Sequence, residues 1–163
     1  MPIRIVALTL LALFLLAAAQ GGPPLSVPER FFLGRTEGQG TVHVILSGRH
    51  GARHQGRGRM APDGALLLEQ VVHEEGRPAR RRSWRLVRSG PNRFTGTISD
   101  ARGPVTGTVT GHVLHLRYRS VEGPSVEQWI TVHANGRTAT NRMVFRRFGV
   151  RVATVEETIR RID

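Results

Sequence analysis

With 163 residues, 24 basic side chains against 12 carboxylates, a formal charge of +12 and no cysteine, the chain is sized for one domain with a real core. The missing cysteine excludes disulfides, thiolate metal sites and thiol chemistry. Every basic side chain other than histidine is an arginine, whose planar fork suits phosphates and carboxylates, so nucleic acid and acidic surfaces both enter consideration. An Arg-, Gly-, Ala- and Val-rich composition that has displaced lysine throughout explains the same bias with no partner at all.

Met1 to Arg4 is a short basic start, Ile5 to Leu16 is apolar, and Ala17-Ala18-Ala19 offers a small-residue cleavage site. Residues 1–19 therefore have the pattern of a signal peptide. A retained N-terminal anchor is the alternative, although the apolar run falls short of the ~20 residues a spanning helix needs. Export would place the mature chain in the periplasm or cell envelope, away from nucleic acid. Without a cysteine after the signal it would not be lipid-anchored, and no later stretch is apolar enough to cross a membrane. Residues 20–28, with GGPPLSVP at Gly21–Pro28, read as a linker because glycine and proline in that density cannot belong to a sheet.

A single domain is expected over 29–163. Phe31, Phe32 and Leu33 are expected to plug the core, with Gly34, Gly38 and Gly40 marking a loop into a first strand over Thr41–Ser47. That strand places Val42, Val44 and Leu46 on one face. A basic, glycine-broken strand follows from about Arg49 to Met60, then a turn at Pro62-Asp63-Gly64. Ala65–Glu75 and Arg80–Arg88 form the next hairpin, and Glu69, Glu74 and Glu75 are expected to pair across strands with Arg57, Arg59, Arg80, Arg81, Arg82 and Arg85. The stretch RFTGTISDARGPVTGTVTGHVLHLRY, Arg93–Tyr118, reads as three short strands. Phe94, Gly96 and Ile98 share one face, as do Val105, Gly107 and Val109, and then His112, Leu114, Leu116 and Tyr118. The glycines leave room where a small barrel must bend. Ser125–His133 comes next, then Asn135-Gly136 as a two-residue hairpin signal, Arg137–Phe148, and a last strand around Val150–Val155. Periodicity leaves 156–163 open between strand and helical turn.

The sum is nine or ten short strands and no long helix: an all-β, antiparallel, up-and-down barrel, with a strongly curved sandwich as the alternative. Trp84, Phe94, His112, Leu114, Leu116, Tyr118 and Trp129 are the side chains expected to line or close its interior. Glu69, Arg85, Asn141 and Arg142 are expected to gather as a buried polar cluster, salt-bridged or forming the polar end of a cavity. Around Glu69 and Glu127 both alternating sets are half apolar, and the inward face there stays open.

Chemistry leaves little trace. There is no G-x-S-x-G and no H-E-x-x-H. His50 and His54 share no helical face, His112 and His115 point to opposite sides of a strand, and no third ligand can be chosen, so no metal site is expected. Asp100, Glu69 and Glu127 are the carboxylates a glycosidase would need in pairs, but nothing brings two of them together. Asp100 is expected to cap the turn to Gly103. No cofactor is expected. An enzyme is not the favoured reading, though it stays open.

Several pieces together carry a resemblance: Phe31-Phe32-x-Gly34, the leucine run ending in Glu69, Arg81-Arg82-x-Trp84-Arg85, and Phe94-x-Gly96 continuing through Asp100, Gly103, Gly107 and Gly111 to Leu114-x-Leu116-x-Tyr118. Asn141-Arg142 and Phe148-Gly149-Val150-x-x-Ala153-x-Val155 complete it. From Phe31 to about Ile159 the chain resembles a family of small proteobacterial envelope proteins catalogued only as a domain of unknown function, often lipoproteins. The resemblance implies a lipocalin-like fold and an envelope location, and it supplies no activity. His112 stands where similar proteins tend to have asparagine, and Glu127-Gln128 where they often have an acidic pair. Two functions follow as expectations. One is a barrel holding a small apolar or amphipathic ligand such as a lipid. The other is a packed structural or adaptor barrel that docks through its arginine-rich exterior on acidic envelope components or a protein partner.

Overall fold

The computed structural model describes residues 23–163, so the signal reading of 1–19 and the start of the linker lie outside the described residues. A six-residue helix, α1 (Val27–Phe32), precedes ten strands: β1 (Gly34–Val44), β2 (Gly48–Met60), β3 (Leu66–Glu74), β4 (Arg80–Gly90), β5 (Arg93–Ile98), β6 (Ala101–Thr110), β7 (Val113–Ser120), β8 (Ser125–Val132), β9 (Thr138–Arg147) and β10 (Val150–Arg161). Each strand pairs antiparallel with its neighbours in sequence, and β1 closes on β10. The expected up-and-down barrel is therefore present, with ten strands.

Alternation fixes what each strand buries. The inward rows include Leu66, Leu68 and Gln70 on β3, Arg82, Trp84 and Leu86 on β4, and Val126, Gln128, Ile130 and Val132 on β8. The apolar members of these rows, joined by Phe94, Ile98, Val105, Val109, Leu114, Leu116 and Tyr118, form one continuous core, into which Gln70, Arg82 and Gln128 also point. Burying such apolar side chains contributes roughly 1.5–3 kcal/mol each.

Three local readings change. The chain is already strand at Gly34, because residues 34–44 pair along their whole length with β2 and residues 36–44 also pair with β10. The glycines read as a loop are instead the residues that let three strands approach. Leu46 leaves the strand altogether and sits in the β1–β2 turn. At the far end, β10 runs to Arg161, which settles 156–161 as strand because β1 offers it a partner throughout. Asn135-Gly136 is not a two-residue turn either. Residues 133–137 form the loop, and the Asn135 carboxamide oxygen accepts from the backbone N–H groups of Arg137 and Thr138 at 2.9 and 3.0 Å. The two-residue turn falls at Phe148-Gly149, where both residues have positive φ, 50° and 80°.

Helix α1 begins inside the stretch read as linker. Ser26 caps it in a reciprocal box with Glu29, and proline sits in the first turn, an arrangement that fits proline's fixed φ and missing N–H. Phe31 and Phe32 meet edge to face at 5.2 Å and are buried, plugging one barrel end as expected. Glu29 is buried beneath them, and Arg88 of β4 clamps it, Nε to Oε1 at 3.0 Å and Nη2 to Oε2. Burial pushes the Glu29 carboxyl up, but Arg88 and the Ser26 cap outweigh it and hold the group below the ordinary carboxylate range.

The plug reaches the wall at a glycine. A Cβ at Gly58 would overlap the carbonyl oxygen of Phe32, whereas one at Gly51 would meet nothing closer than 3.7 Å. Gly58→Ala should therefore lower stability by about 1–3 kcal/mol through forced backbone displacement. Gly51→Ala, on the same strand, should be neutral or raise it by about 0.4–1 kcal/mol by restricting the unfolded chain. Urea unfolding midpoints of the two variants against the parent decide this.

Candidate functional site

The lumen is not purely apolar. Gln128, Asn141, Glu157 and His54 come from β8, β9, β10 and β2, and all four point inward. They join as a hydrogen-bonded chain. His54 Nδ1 lies 2.6 Å from Glu157 Oε1, Asn141 Nδ2 lies 2.9 Å from Glu157 Oε2, and Gln128 Nε2 lies 3.0 Å from Asn141 Oδ1. Two strands away from His54, the Trp84 indole N–H donates to Gln70 Oε1 at 2.9 Å. β1 contributes no side chain between β10 and β2. Gly38 sits there instead, and a Cβ on it would strike the His54 imidazole and the Glu157 carboxylate. Only glycine lets the pair bridge behind that strand.

The directions of these bonds follow from one fact: an ionised carboxylate only accepts. Glu157 must receive the His54 Nδ1–H and the Asn141 Nδ2–H. Asn141 then turns its Oδ1 to Gln128, which must donate through Nε2. What is left over is specific. Gln128 Oε1, His54 Nε2 and the Thr36 hydroxyl are buried without a hydrogen-bond partner among the described residues. Gln128 is 1% exposed and Thr36 1%, so water outside the barrel does not serve them. A buried polar group left unpaired costs about 1–3 kcal/mol, and three on adjoining parts of one inner wall mark where a polar group is wanted.

A second polar group faces the first. Arg82 is buried; it donates to Asp100 Oδ1 at 2.9 Å and to the Tyr118 hydroxyl at 2.8 Å, and its guanidinium lies 4.6 Å over the Trp84 ring. Asp100 is thus an acceptor for Arg82 and for Arg80 rather than the cap of a turn to Gly103, because the chain is already strand from Ala101. Burial pushes the Tyr118 phenol above its ordinary range despite Arg82, so it stays protonated. Burial also pushes Glu157 up. The hydrogen bond and charge of His54, the Asn141 amide and the Arg82 charge outweigh it, and Glu157 is held below the carboxylate range.

Of the side chains expected to line the interior, Trp84, Phe94, Leu114, Leu116 and Tyr118 are buried and inward. His112 is not among them: it is exposed in the β6–β7 turn, because β6 ends at Thr110 and the alternation restarts only at Val113. Trp129 is on the outer wall. With Gln128 and Ile130 inward, parity turns Trp129 out, where it stacks on His115 at 4.9 Å, 5.9 Å from the Arg142 guanidinium. The expected cluster of Glu69, Arg85, Asn141 and Arg142 does not form. Only Asn141 is inward; the other three are exposed and outward. Arg85 pairs with Asp63, and Glu69 lies opposite Arg57 in register without an ion pair among the described residues. The acids of β3 thus do little of the cross-strand pairing expected of them. Glu74 binds His50 at 2.7 Å and Arg77 at 3.5 Å, and Glu75 accepts the Gly51 N–H.

His54, Glu157 and Gln128 were missed. A partial signal exists: β8 alternates Val126, Gln128, Ile130 and Val132, so Gln128 is a polar residue in an otherwise apolar row. A surface groove of about 850 Å³ lies on the outer face of β1, β2 and β10 among Glu37, Gln39, Arg53 and Arg160. It shares only His54 with the polar chain, and its other polar side chains are open to solvent.

Because the folded Glu157 pKa lies below its unfolded value, the stability Glu157 contributes is fully present above the ordinary carboxylate range. It is lost as pH falls through the folded value. Glu157→Gln should leave a shallower acid-side loss of stability than the parent shows, with buried Glu29 and the more exposed Asp63, Glu127 and Asp163, all held low by arginine partners, supplying the remaining slope. Urea midpoints taken from about pH 7 down to about pH 3 test this, and an unchanged slope would contradict the assignment.

Among solved structures, an S-type phycobiliprotein lyase from Guillardia theta superposes with a TM-score of 0.67 at 11% identity, covering 85% of this chain and 94% of that one. Rv2717c from M. tuberculosis superposes with a TM-score of 0.64 at 14% identity, covering 82% and 94%. Both show a shared lipocalin-like barrel fold. No curated protein sequence matches the chain. A family model does, over residues 14–161, and the chain belongs to that family, DUF3833, described as proteins of unknown function.

Proposed function

We propose that the protein is an exported binding protein that holds a small amphipathic molecule inside its barrel. The observation that carries this reading is the trio of buried, unpartnered atoms Gln128 Oε1, His54 Nε2 and Thr36 Oγ1 in a lumen whose other polar side chains, Gln70, Arg82, Asn141 and Glu157, are paired and whose remaining lining is apolar. Gln128 Oε1 is an acceptor, so it calls for a hydroxyl or N–H on the ligand. With Nδ1 already donating to Glu157, His54 Nε2 is an acceptor when the ring is neutral and a donor when it is protonated, and the Thr36 hydroxyl offers either role. A carboxylate head would meet only acceptors at Gln128 and the charge of Glu157 behind it. The ligand class that fits best is therefore a lipid-like molecule with a hydroxyl or amide head, its apolar body along Trp84, Phe94, Leu114 and Leu116. The two structural neighbours support the scaffold, a barrel with a usable interior, and say nothing of the ligand. Export rests on the Met1–Ala19 pattern. An N-terminus at Gln20 in protein isolated from its own host would support it, and an intact Met1 would count against it.

The positions of the two tryptophans provide the assay. Trp129→Phe leaves Trp84, inside the lumen, as the sole indole, and Trp84→Phe leaves only the outer-wall one. Titrating a monoacylglycerol into the Trp129→Phe protein should shift or quench emission, and a fatty acid of the same chain length should bind at least about tenfold more weakly, the value of one well-placed buried polar contact. Adding Gln128→Leu should erase that preference. Emission unmoved by hydroxyl- and amide-headed lipids alike would favour the packed adaptor barrel instead.

A further inference from the structure

The barrel end opposite α1 carries the β1–β2, β3–β4, β5–β6, β7–β8 and β9–β10 turns. Among the described residues, five of the six exposed large apolar side chains are there: Ile45, Leu46, Val121, Phe148 and Val150. Leu46 and Phe148 are 103% and 98% exposed, so neither packs on anything. Their turns adjoin, since the Ile45 N–H donates to the Val152 carbonyl at 2.9 Å. Both residues also have positive φ, 71° and 50°, a region where glycine or asparagine is the ordinary choice and a bulky side chain is strained. A leucine and a phenylalanine stand at two neighbouring tips, in the conformation that suits them least and with no core to fill.

Charge surrounds them. From Gly38 to Pro62 and from Gln128 to Val155 there is no aspartate or glutamate. Arg49 flanks the first tip, Arg147 and Arg151 the second, and these three join no carboxylate among the described residues; Arg147 donates to the Glu122 backbone carbonyl at 2.9 Å. Arg146 is neutralised by Glu127 at 3.0 Å. The exposed acids at this end are in other turns, Glu122 between β7 and β8 and Glu75 between β3 and β4, where Glu75 accepts the Gly51 N–H.

We propose that the β1–β2 and β9–β10 tips are apolar wedges that dock the barrel on an anionic phospholipid bilayer, Leu46 and Phe148 entering the acyl boundary while Arg49, Arg147 and Arg151 meet the headgroup phosphates. Apolar side chains beside unpaired arginines are what an interfacial anchor requires. Two narrow tips fall short of the ~800 Å² that each partner buries in a stable protein interface, whereas a bilayer demands no complementary surface. The docked end is the unplugged one. The inference stands independently of what the lumen holds.

The test is co-sedimentation of the purified full chain with phosphatidylcholine vesicles, with and without phosphatidylglycerol. The parent should bind the phosphatidylglycerol vesicles and fall off as salt rises. Leu46→Asn with Phe148→Asn should cut binding at least about tenfold per wedge. Because asparagine favours positive φ, that variant should fold as well as the parent or better, which removes misfolding as an explanation. Arg49→Glu with Arg151→Glu should abolish the preference for phosphatidylglycerol. Parent and variants share residues 1–22, so any binding by the N-terminal apolar run cancels. Undiminished binding by the double-asparagine variant, or no parent binding to either vesicle, overturns the proposal.

Discussion

Ring closure is the constraint from which everything else follows. With β1 hydrogen-bonded to β10, no strand edge is left over, and every second side chain is committed to a lumen where water is scarce. Polar residues caught on the inward parity must then find one another. His54, Asn141, Gln128 and Glu157 do so across two strand interfaces and one gap, and the gap is possible only because Gly38 leaves the inner surface of β1 open at that level. A side chain at Gly38 would separate the imidazole from its carboxylate, and one at Gly40 would strike the β10 backbone at Glu156 and Glu157. The glycine content of β1 and β2 is thus part of the electrostatics of the interior as well as its curvature.

The carboxylate at the centre of that chain organises it in one direction. Since Glu157 can only accept, the amide of Asn141 and then of Gln128 are oriented in turn, and the unused valence emerges as an acceptor on Gln128 rather than a donor. An interior built this way discriminates by hydrogen-bond sense. Hydrophobic pockets separate ligands differing by a methylene only weakly, but a buried polar atom left unpaired by the wrong ligand is expensive. The two tryptophans belong to different sides of the same wall. Trp84 is tied to Gln70 and covered by Arg82, and Trp129 is stacked on His115 beside an ion cluster of Glu127, Arg117 and Arg146.

The architecture was legible because strand alternation, turn residues and glycine spacing are local properties. The inward rows from Phe94 to Tyr118 follow directly from period two, and so does Trp84 beside Leu86. What alternation cannot supply is parity where both sets are half apolar, and β8 is such a case: Trp129 with Thr131 and Val126 with Ile130 read alike until a neighbour fixes the face. Leu46 continues a perfect apolar period past the point where the strand stops, since turning the chain at positive φ is a matter of backbone geometry that side-chain pattern does not record. The grouping of Glu69, Arg85 and Arg142 failed for a related reason. Charge type suggested partners, but all three have outward parity, and water competes for every ion pair there. Glu157 and His54 lie 103 residues apart, and only closure of the ring by β1 and β10 brings their strands to either side of one glycine strand.

The two barrel ends are built on opposite principles. At one, Phe31 and Phe32 are folded inward, capped by Ser26 and held by the Glu29–Arg88 clamp, so apolar surface is hidden and a buried carboxylate is neutralised. At the other, Leu46 and Phe148 are turned outward on strained turns and the adjacent arginines are left without carboxylates. The chain is able to bury aromatic residues and pair arginines, as its plugged end shows. At the unplugged end Arg80 and Arg82 still pair with Asp100 and Arg146 with Glu127, so the exposed Leu46 and Phe148 and the carboxylate-free Arg49, Arg147 and Arg151 are confined to two adjoining hairpin tips, which is the contrast on which the proposed docking rests.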